Sequence, residues 1–130
     1  MFNIKVTYDK SCDMGYIYFN EPSKYQVSYT EELEENDEIM LDFGKEVPVV
    51  GIELEGTTAK MISTLVNKEN ILEKKINDEG TEYYSLKITN QLIKRSVSHP
   101  EAKSLVFHFS DEKYENLTRI DILDSHLFLN

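Results

Sequence analysis

Two carboxylates occupy positions from which they could do acid–base chemistry together. Asp42 and Glu53 fall on the polar positions of two segments that alternate between apolar and polar residues and are expected to form adjacent strands. If those strands pair in register, the two acids lie close on one face, joined by Asp9 or Asp13. Neighbouring carboxylates can separate their pKa values or hold a hard cation. The alternative is that they lie on the wet face of a sheet, with Asp9 and Asp13 shaping a hairpin turn.

A histidine and an aspartate form a second candidate pair. His108 lies on the polar phase of its own alternating segment, and Asp121 lies on a segment expected beside it. A His–Asp pair is half of a catalytic relay, but no serine stands in a strand-to-helix elbow that would complete it. Cys12 lies in a predicted turn beside acidic Asp13, a poor setting for a nucleophilic thiolate. The sequence therefore predicts a surface cross-strand pair and no catalytic residue, cofactor or metal site. The candidate polar-face cluster consists of Asp42, Glu53, His108 and Asp121.

A dense acidic run is the most prominent local feature of the chain. It holds six carboxylates within eight residues: Glu31, Glu32, Glu34, Glu35, Asp37 and Glu38. Carboxylates packed this closely repel one another and are tolerable only in water or opposite cations. One interpretation is a solvated loop between two strands, and the other is a docking surface for a basic partner. Calcium binding is a weak third interpretation, because a calcium loop needs a glycine at its sharp bend and the run has none.

The charge of the chain favours some partners over others. The net charge is −10 over 130 residues, and residues 1–56 hold 13 acidic and 4 basic residues. This sign opposes direct binding of nucleic acid or of an anionic membrane surface, both of which need cationic groups. A basic protein partner is compatible with it. The N-terminus lacks a secretory signal, and a single cysteine favours a reducing, cytoplasmic location.

Period-two alternation predicts a β-rich chain of the α+β class. About eight or nine short strands, separated by turn residues, indicate antiparallel meander sheets within one domain over residues 1–130. Between the strands, Met61, Ile62, Leu65 and Val66 follow helical spacing. We therefore expect one connecting helix near residues 58–68, capped by Thr57 or Thr58.

The two halves of the chain resemble each other in strand order and spacing. Residues 16–19 align with 84–87, residues 39–43 with 105–109, and residues 52–54 with 120–122. Few identities support this alignment, and two unrelated meanders would align partly by chance. One hypothesis is therefore a duplication, with sub-repeats at 1–56 and 71–130 joined by the helix.

The first half also resembles a family of small bacterial domains of unknown function, the YuzE-like domains. Residues 4–55 carry the similarity, while the remaining half is not recognised. Two departures are a replaced turn at residues 44–48 and a chain that continues well past the usual domain end. The resemblance implies a small β-rich α+β fold and no particular activity. The matching motifs are Tyr8-Asp9, Asp13 with Tyr16-Ile17-Tyr18, Leu41-Asp42-Phe43 and Gly51-Ile52-Glu53-Leu54.

Together these observations favour a non-catalytic, acidic interaction protein of bacterial or phage origin. The expected partner is a basic protein, and an inhibitor of the immunity, antitoxin or anti-defence type would fit this chemistry. One alternative is a structural homo-oligomer, such as a homodimer, whose sheet edges pair between copies. The other is a small metal-dependent enzyme or binder that uses Asp42 and Glu53.

Overall fold

A computed structural model describes residues 4–21 and 23–124. The described chain divides into two compact units, one ending at Asn67 and the other beginning at Lys68. Among these residues, no helix has the length and apolar character that crossing a lipid bilayer requires.

The first unit is a five-stranded sheet followed by a short helix. In the sheet the strands lie in the order β1-β2-β5-β4-β3. A single turn of 3₁₀ helix at Ser63–Leu65 follows the α-helix. The elements are β1 (Lys5–Asp9), β2 (Met14–Tyr18), β3 (Val27–Leu33), β4 (Asn36–Gly44), β5 (Val49–Glu55) and α1 (Gly56–Ile62).

The second unit is a five-stranded sheet with the same arrangement. Its strands lie in the order β6-β7-β10-β9-β8, so each strand has a counterpart in the first sheet. The described residues therefore contain ten strands, and the predicted β-rich fold with one connecting helix is confirmed. The strands are β6 (Leu72–Ile76), β7 (Glu82–Lys87), β8 (Arg95–His99), β9 (Ala102–Phe109) and β10 (Leu117–Ile122).

All strand pairings are antiparallel, but neighbours in the sheet are not always neighbours in sequence. Strands β3, β4 and β5 are joined in succession, and β5 then lies against β2 rather than at an edge. Strands β8, β9 and β10 do the same against β7. This is a Greek-key order, in which a long connection separates the fourth strand from the other three.

Alternation along the central strands places one face of the first sheet in the core. Ile17, Ile52 and Leu54 are fully buried on that face, and burying side chains of this size stabilises the fold by about 1.5–3 kcal/mol each. Helix α1 packs against the same face. A Cβ added at Gly15 would lie 2.8 Å from Cδ1 of Ile62, so the absence of a side chain lets the helix approach.

The registers of the two sheets can be superposed position by position. Ile52 stands opposite both Ile17 and Leu41, as Ile120 stands opposite both Leu86 and Phe107. The registers therefore match residues 39–43 with 105–109 and residues 52–54 with 120–122, as the sequence alignment does. For β2 and β7 the alignment is shifted by one residue, because it matched tyrosines whereas the register matches Ile17 with Leu86.

The connections that leave β2 and β7 repeat the same backbone hydrogen bonds. The amides of Phe19 and Asn20 both donate to the carbonyl of Val50, at 3.0 and 3.2 Å. At the matching positions, the amides of residues 88 and 89 both donate to the carbonyl of Thr118, at 2.9 and 3.1 Å. This shared detail supports the duplication hypothesis more strongly than the few sequence identities do.

The helix begins earlier and is capped differently from the prediction. It starts at Gly56, and the residue at its N-cap, Glu55, makes no side-chain cap. Neither Thr57 nor Thr58 is the cap. Instead, Oε1 of Glu38 on β4 accepts from the backbone N–H of Thr58 at 3.1 Å and from its hydroxyl at 2.7 Å. A carboxylate from a strand distant in sequence thus accepts a hydrogen bond from an amide of the first turn. The helical spacing of apolar residues alone could not reveal this contact.

Strand β6 is not predicted by the alternation of apolar and polar residues. Its central residues are charged, so it shows only two apolar positions, Leu72 and Ile76. It lies at the edge of its sheet, where Lys74 pairs with Glu82 on β7 at 2.6 Å. Edge strands often carry such charges, and the charges hide the alternation.

We predict that Glu38→Ala lowers the free energy of unfolding by about 1 kcal/mol, because the first turn of helix α1 loses its acceptor and a favourable negative charge. Urea denaturation followed by circular dichroism measures this change. Glu35→Ala, which removes an exposed carboxylate from the same acidic run, is the matched control and should change stability by less than about 0.5 kcal/mol. Equal effects of the two substitutions would contradict the capping role.

Candidate functional site

Three side chains form a hydrogen-bonded row across strands β3, β4 and β5. Thr30 stands opposite Asp42, and Glu53 is offset from Asp42 by two residues on the neighbouring strand, on the same face. The Thr30 hydroxyl donates to Oδ1 of Asp42 at 2.5 Å, and the carboxyl groups of Asp42 and Glu53 are hydrogen-bonded to each other. We call Thr30, Asp42 and Glu53 the first polar row.

The environment of Asp42 favours its protonated form. Burial, then the hydrogen bond with Glu53, then repulsion between the two carboxylates raise the pKa of Asp42 to about 7. Asp42 is only 2% exposed. Asp42 therefore keeps its proton to a much higher pH than an exposed aspartate does. The predicted approach of Asp42 and Glu53 is therefore present.

Asp9 and Asp13 do not join the hydrogen bonds described for this pair. Asp9 accepts from the amide and the hydroxyl of Ser11, at 2.9 and 2.6 Å. Asp13 accepts from the hydroxyl of Tyr8 at 2.8 Å and lies 3.8 Å from Nζ of Lys60. Both residues shape the turn between β1 and β2, which was the alternative interpretation of the sequence.

A second row runs across strands β8, β9, β10 and β7. The ring of His108 lies between two partners: Nδ1 is 2.6 Å from Oγ of Ser96, and Nε2 is 2.8 Å from Oδ2 of Asp121. The other oxygen of Asp121 accepts from Oγ of Ser85 at 2.5 Å. We call Ser96, His108, Asp121 and Ser85 the second polar row.

Asp121 is held in its ionised form. Burial acts to raise the pKa of Asp121, but hydrogen bonds from His108 and Ser85 and the charge of Arg119 outweigh burial and lower it. Arg119 also donates a hydrogen bond from NH1 to Oγ of Ser85 at 2.6 Å. Glu73 lies 3.5 Å from the same guanidinium atom. The second polar row thus combines a carboxylate and a guanidinium, whereas the first contains only acids and a hydroxyl.

The two rows occupy equivalent positions in their sheets. Thr30 faces Asp42 as Ser96 faces His108, and the registers likewise match Glu53 with Asp121. The four residues of the predicted polar-face cluster are thus two hydrogen-bonded pairs, one in each unit. Asp42 and Glu53 share the face of one sheet, and His108 and Asp121 share the face of the other.

Sequence reasoning missed the hydroxyl groups of both rows. Thr30 and Ser96 lie on the edge strands β3 and β8, where alternation is weak. Their polar phase was visible, but their contact with Asp42 and His108 depends on cross-strand register. A strand register deduced from the alignment of the two halves would have indicated both contacts.

The acidic run is a hairpin rather than a loop. Its first residues end β3, Glu34 and Glu35 form the turn, and its last residues begin β4. Leu33 is buried within it. Glu38 caps helix α1, so its carboxylate differs in role from the others assigned to partner binding. The exposed members are Glu31, Glu32, Glu34, Glu35 and Asp37.

The described part of the chain does not neutralise most of this hairpin. Its ion pairs involve other carboxylates, and none includes Glu32, Glu34, Glu35 or Asp37. Within residues 4–21 and 23–124, no group of three or more His, Cys, Asp or Glu is arranged to hold a metal ion. Glu32, Glu34, Glu35 and Asp37 therefore form a local surface of negative charge without ion-pair partners among the described residues.

Comparisons with known proteins agree with the resemblance found in the sequence. Residues 5–56, which span β1 to β5, match a family model described as "Protein of unknown function (DUF2283)". The chain is also similar to the "Uncharacterized protein YuzE" of Bacillus subtilis (strain 168), with 28% identity over 117 residues, covering 90% of this chain and 85% of that protein. That similarity extends well beyond the first sheet. No solved structure matches the chain.

We predict that Asp42→Asn removes a pH dependence of stability. A carboxyl whose pKa is raised in the folded state binds its proton more tightly than in the unfolded chain, so the free energy of unfolding falls as pH rises from about 4 to about 7. The expected fall is about 2–4 kcal/mol. The variant should therefore unfold at a higher temperature than the unmodified protein at pH 8, but not at pH 5.

Thermal denaturation across this pH range tests the effect. Asp37→Asn, a change at an exposed aspartate of the acidic hairpin, is the control and should leave the pH dependence as it is. An Asp42→Asn variant that loses stability with rising pH as steeply as the unmodified protein would show that the pKa of Asp42 is not raised.

Proposed function

We propose that this chain is an acidic interaction protein that binds a basic protein partner along the β3–β4 hairpin. The observation that carries the proposal is the position of the uncompensated carboxylates: they lie on and beside an edge strand whose residues 27–32 are all exposed. The predicted cytoplasmic location and an inhibitory role of the immunity or antitoxin kind are finer forms of this proposal.

The edge of the first sheet offers a partner backbone as well as charge. Strand β3 is hydrogen-bonded to β4 on one side and ends the sheet on the other. An extended segment can add to such an edge, with main-chain hydrogen bonds giving affinity and side chains giving specificity. Tyr29, which is 44% exposed and stacks on Phe43, provides an ordered aromatic surface on the same strand.

The sign of the charge selects the kind of segment that can pair. A strand carrying lysine or arginine would place a cation opposite Glu32, and an opposite-charge cross-strand pair contributes about 0.2–1 kcal/mol. A second copy of this chain carries no lysine or arginine on β3, so its own edge strand offers no cation to these carboxylates. The β3 edge therefore favours a basic partner over self-association, while homo-oligomers formed through other edges stay a prediction.

The same charges could also serve only to protect the edge strand, and the experiment must distinguish that role from partner binding. Charged residues on an edge strand protect it from aggregating with other edges. Such protection requires no partner and no particular arrangement of cations. Specific binding instead predicts that these carboxylates matter more than equally exposed ones elsewhere.

The metal-dependent alternative is less consistent with the first polar row. Asp42 and Glu53 are bonded to each other, and Asp42 also accepts from Thr30. A cation would have to displace the proton of Asp42 and find further ligands. For that reason we do not assign the first polar row a metal.

We predict that a strand-forming peptide of alternating lysine and valine binds the protein, with an affinity that falls steeply as salt increases. In the variant Glu32→Gln, Glu34→Gln, Glu35→Gln, Asp37→Asn, binding at low salt should weaken at least tenfold, because the steering charge and the cross-strand pairs are lost. Fluorescence anisotropy of a labelled peptide measures the affinity.

A charge-matched variant in the second unit is the control. Glu69→Gln, Asp78→Asn, Glu79→Gln and Glu115→Gln remove the same number of exposed carboxylates and should leave the affinity within about twofold of the unmodified protein, since none of them lies on the β3–β4 hairpin. If both quadruple variants lose binding equally, bulk charge explains the attraction and the hairpin is not the docking surface.

A further inference from the structure

We propose that Ser96 is a nucleophile activated by His108, and that it accepts acyl groups from small esters. The proposal rests on the geometry of the second polar row and goes beyond partner binding. It also lies in the other unit from the acidic hairpin, so the failure of either proposal leaves the other measurable.

The hydrogen bonds of the row have a defined direction. Because Asp121 is ionised, it accepts the proton on Nε2 of His108, at 2.8 Å. In the neutral form of the ring, Nδ1 then carries no proton and accepts from the Ser96 hydroxyl at 2.6 Å. The order is hydroxyl to imidazole to carboxylate, which is the arrangement of a nucleophile, its general base and the group that orients the base.

Triads are recognised by roles and geometry rather than by fold or chain order. Here Nδ1 is the basic nitrogen and Nε2 the oriented one, and either ring nitrogen can serve as the base. Asp121 is a positioning residue, fixed by Ser85 and, through it, by Arg119. This support holds the imidazole in one tautomer and one orientation.

The two ends of the row differ in exposure as the chemistry requires. Ser96 is exposed on the edge strand β8, so an ester can reach its hydroxyl. The side chains of His108 and Asp121 are only 13% and 14% exposed, which limits competition from water for their hydrogen bond. Because Ser96 lies on an open strand, we expect slow turnover and a preference for small, activated esters.

The reaction balances without a cofactor. Oγ of Ser96 attacks the ester carbonyl while its proton passes to Nδ1 of His108. The carbon–oxygen bond to the leaving alcohol then breaks, and that proton passes to the alcohol. Water, deprotonated by the same nitrogen, later releases the acid and restores Ser96.

The chain contains two internal comparators for this serine. Ser98 lies two residues along the same strand, but its hydroxyl donates to the carbonyl of Leu105 at 2.6 Å and to no imidazole. Thr30 occupies the position of Ser96 in the first sheet, but its hydroxyl donates to the carboxyl of Asp42. If exposure alone gave reactivity, Ser98 and Thr30 would compete with Ser96.

A fluorophosphonate probe provides the first test. The Ser96 oxygen displaces fluoride from phosphorus, leaving a stable adduct whose position mass spectrometry of peptides reports. We expect one adduct, on Ser96, in the unmodified protein. An adduct on Ser98 or Thr30 in preference to Ser96, or no adduct at all, would overturn the proposal without need of any variant.

Hydrolysis of p-nitrophenyl acetate by folded variants provides the second test. We expect Ser96→Ala to reduce the rate to the level of a protein without this site, His108→Gln to lower it at least tenfold, and Ser98→Ala to leave it unchanged. Added imidazole should partly restore His108→Ala, which a merely structural histidine would not show. Circular dichroism confirms that each variant is folded, and an unchanged rate in His108→Gln would refute activation.

Discussion

The position of the last strand in each sheet is the constraint on which the rest of the structure depends. Strand β5 lies between β2 and β4, and β10 lies between β7 and β9. Ile52 and Ile120 therefore each have a strand neighbour on both sides within the core face, while Glu53 and Asp121 lie on the opposite face of their sheets. A slip of one residue would exchange these faces and bury the carboxylates. The core and the polar rows are consequently fixed by the same register.

Much of the fold could be predicted because alternation is strong wherever a strand has one buried face. The segments of β4 and β9 are clear from sequence alone, since Ile39, Leu41, Phe107 and Phe109 are all buried on one phase. The order of strands could not be predicted in this way, because alternation reports a strand's own faces and not its neighbours. The start of helix α1 was also out of reach, since its stabilising carboxylate comes from Glu38, 20 residues before Thr58.

The sequence could predict those parts of the candidate sites that depend on which face of a strand a residue occupies. Asp42 with Glu53, and His108 with Asp121, were expected to be close because each lies on the polar phase of a strand. Ser96 was not predicted as a candidate site residue, since its hydrogen bond depends on His108 in the neighbouring strand and on the orientation of the imidazole ring. The sequence analysis looked for a relay serine only in strand-to-helix elbows. In the structure, an edge strand places the Ser96 hydroxyl 2.6 Å from the imidazole of His108.

The two units share a fold and differ in the chemistry of matching positions. His108 stands where the first sheet has Asp42, and with Asp121 it forms a pair in which the folded state favours the charged carboxylate. The Asp42–Glu53 pair is different, because above neutral pH it lowers stability. The second sheet shows that this scaffold accommodates a less costly pair at the same positions. The acid pair of the first sheet is therefore the more costly of the two above neutral pH, and carboxyl groups with a raised pKa occur both at functional sites and in structural networks.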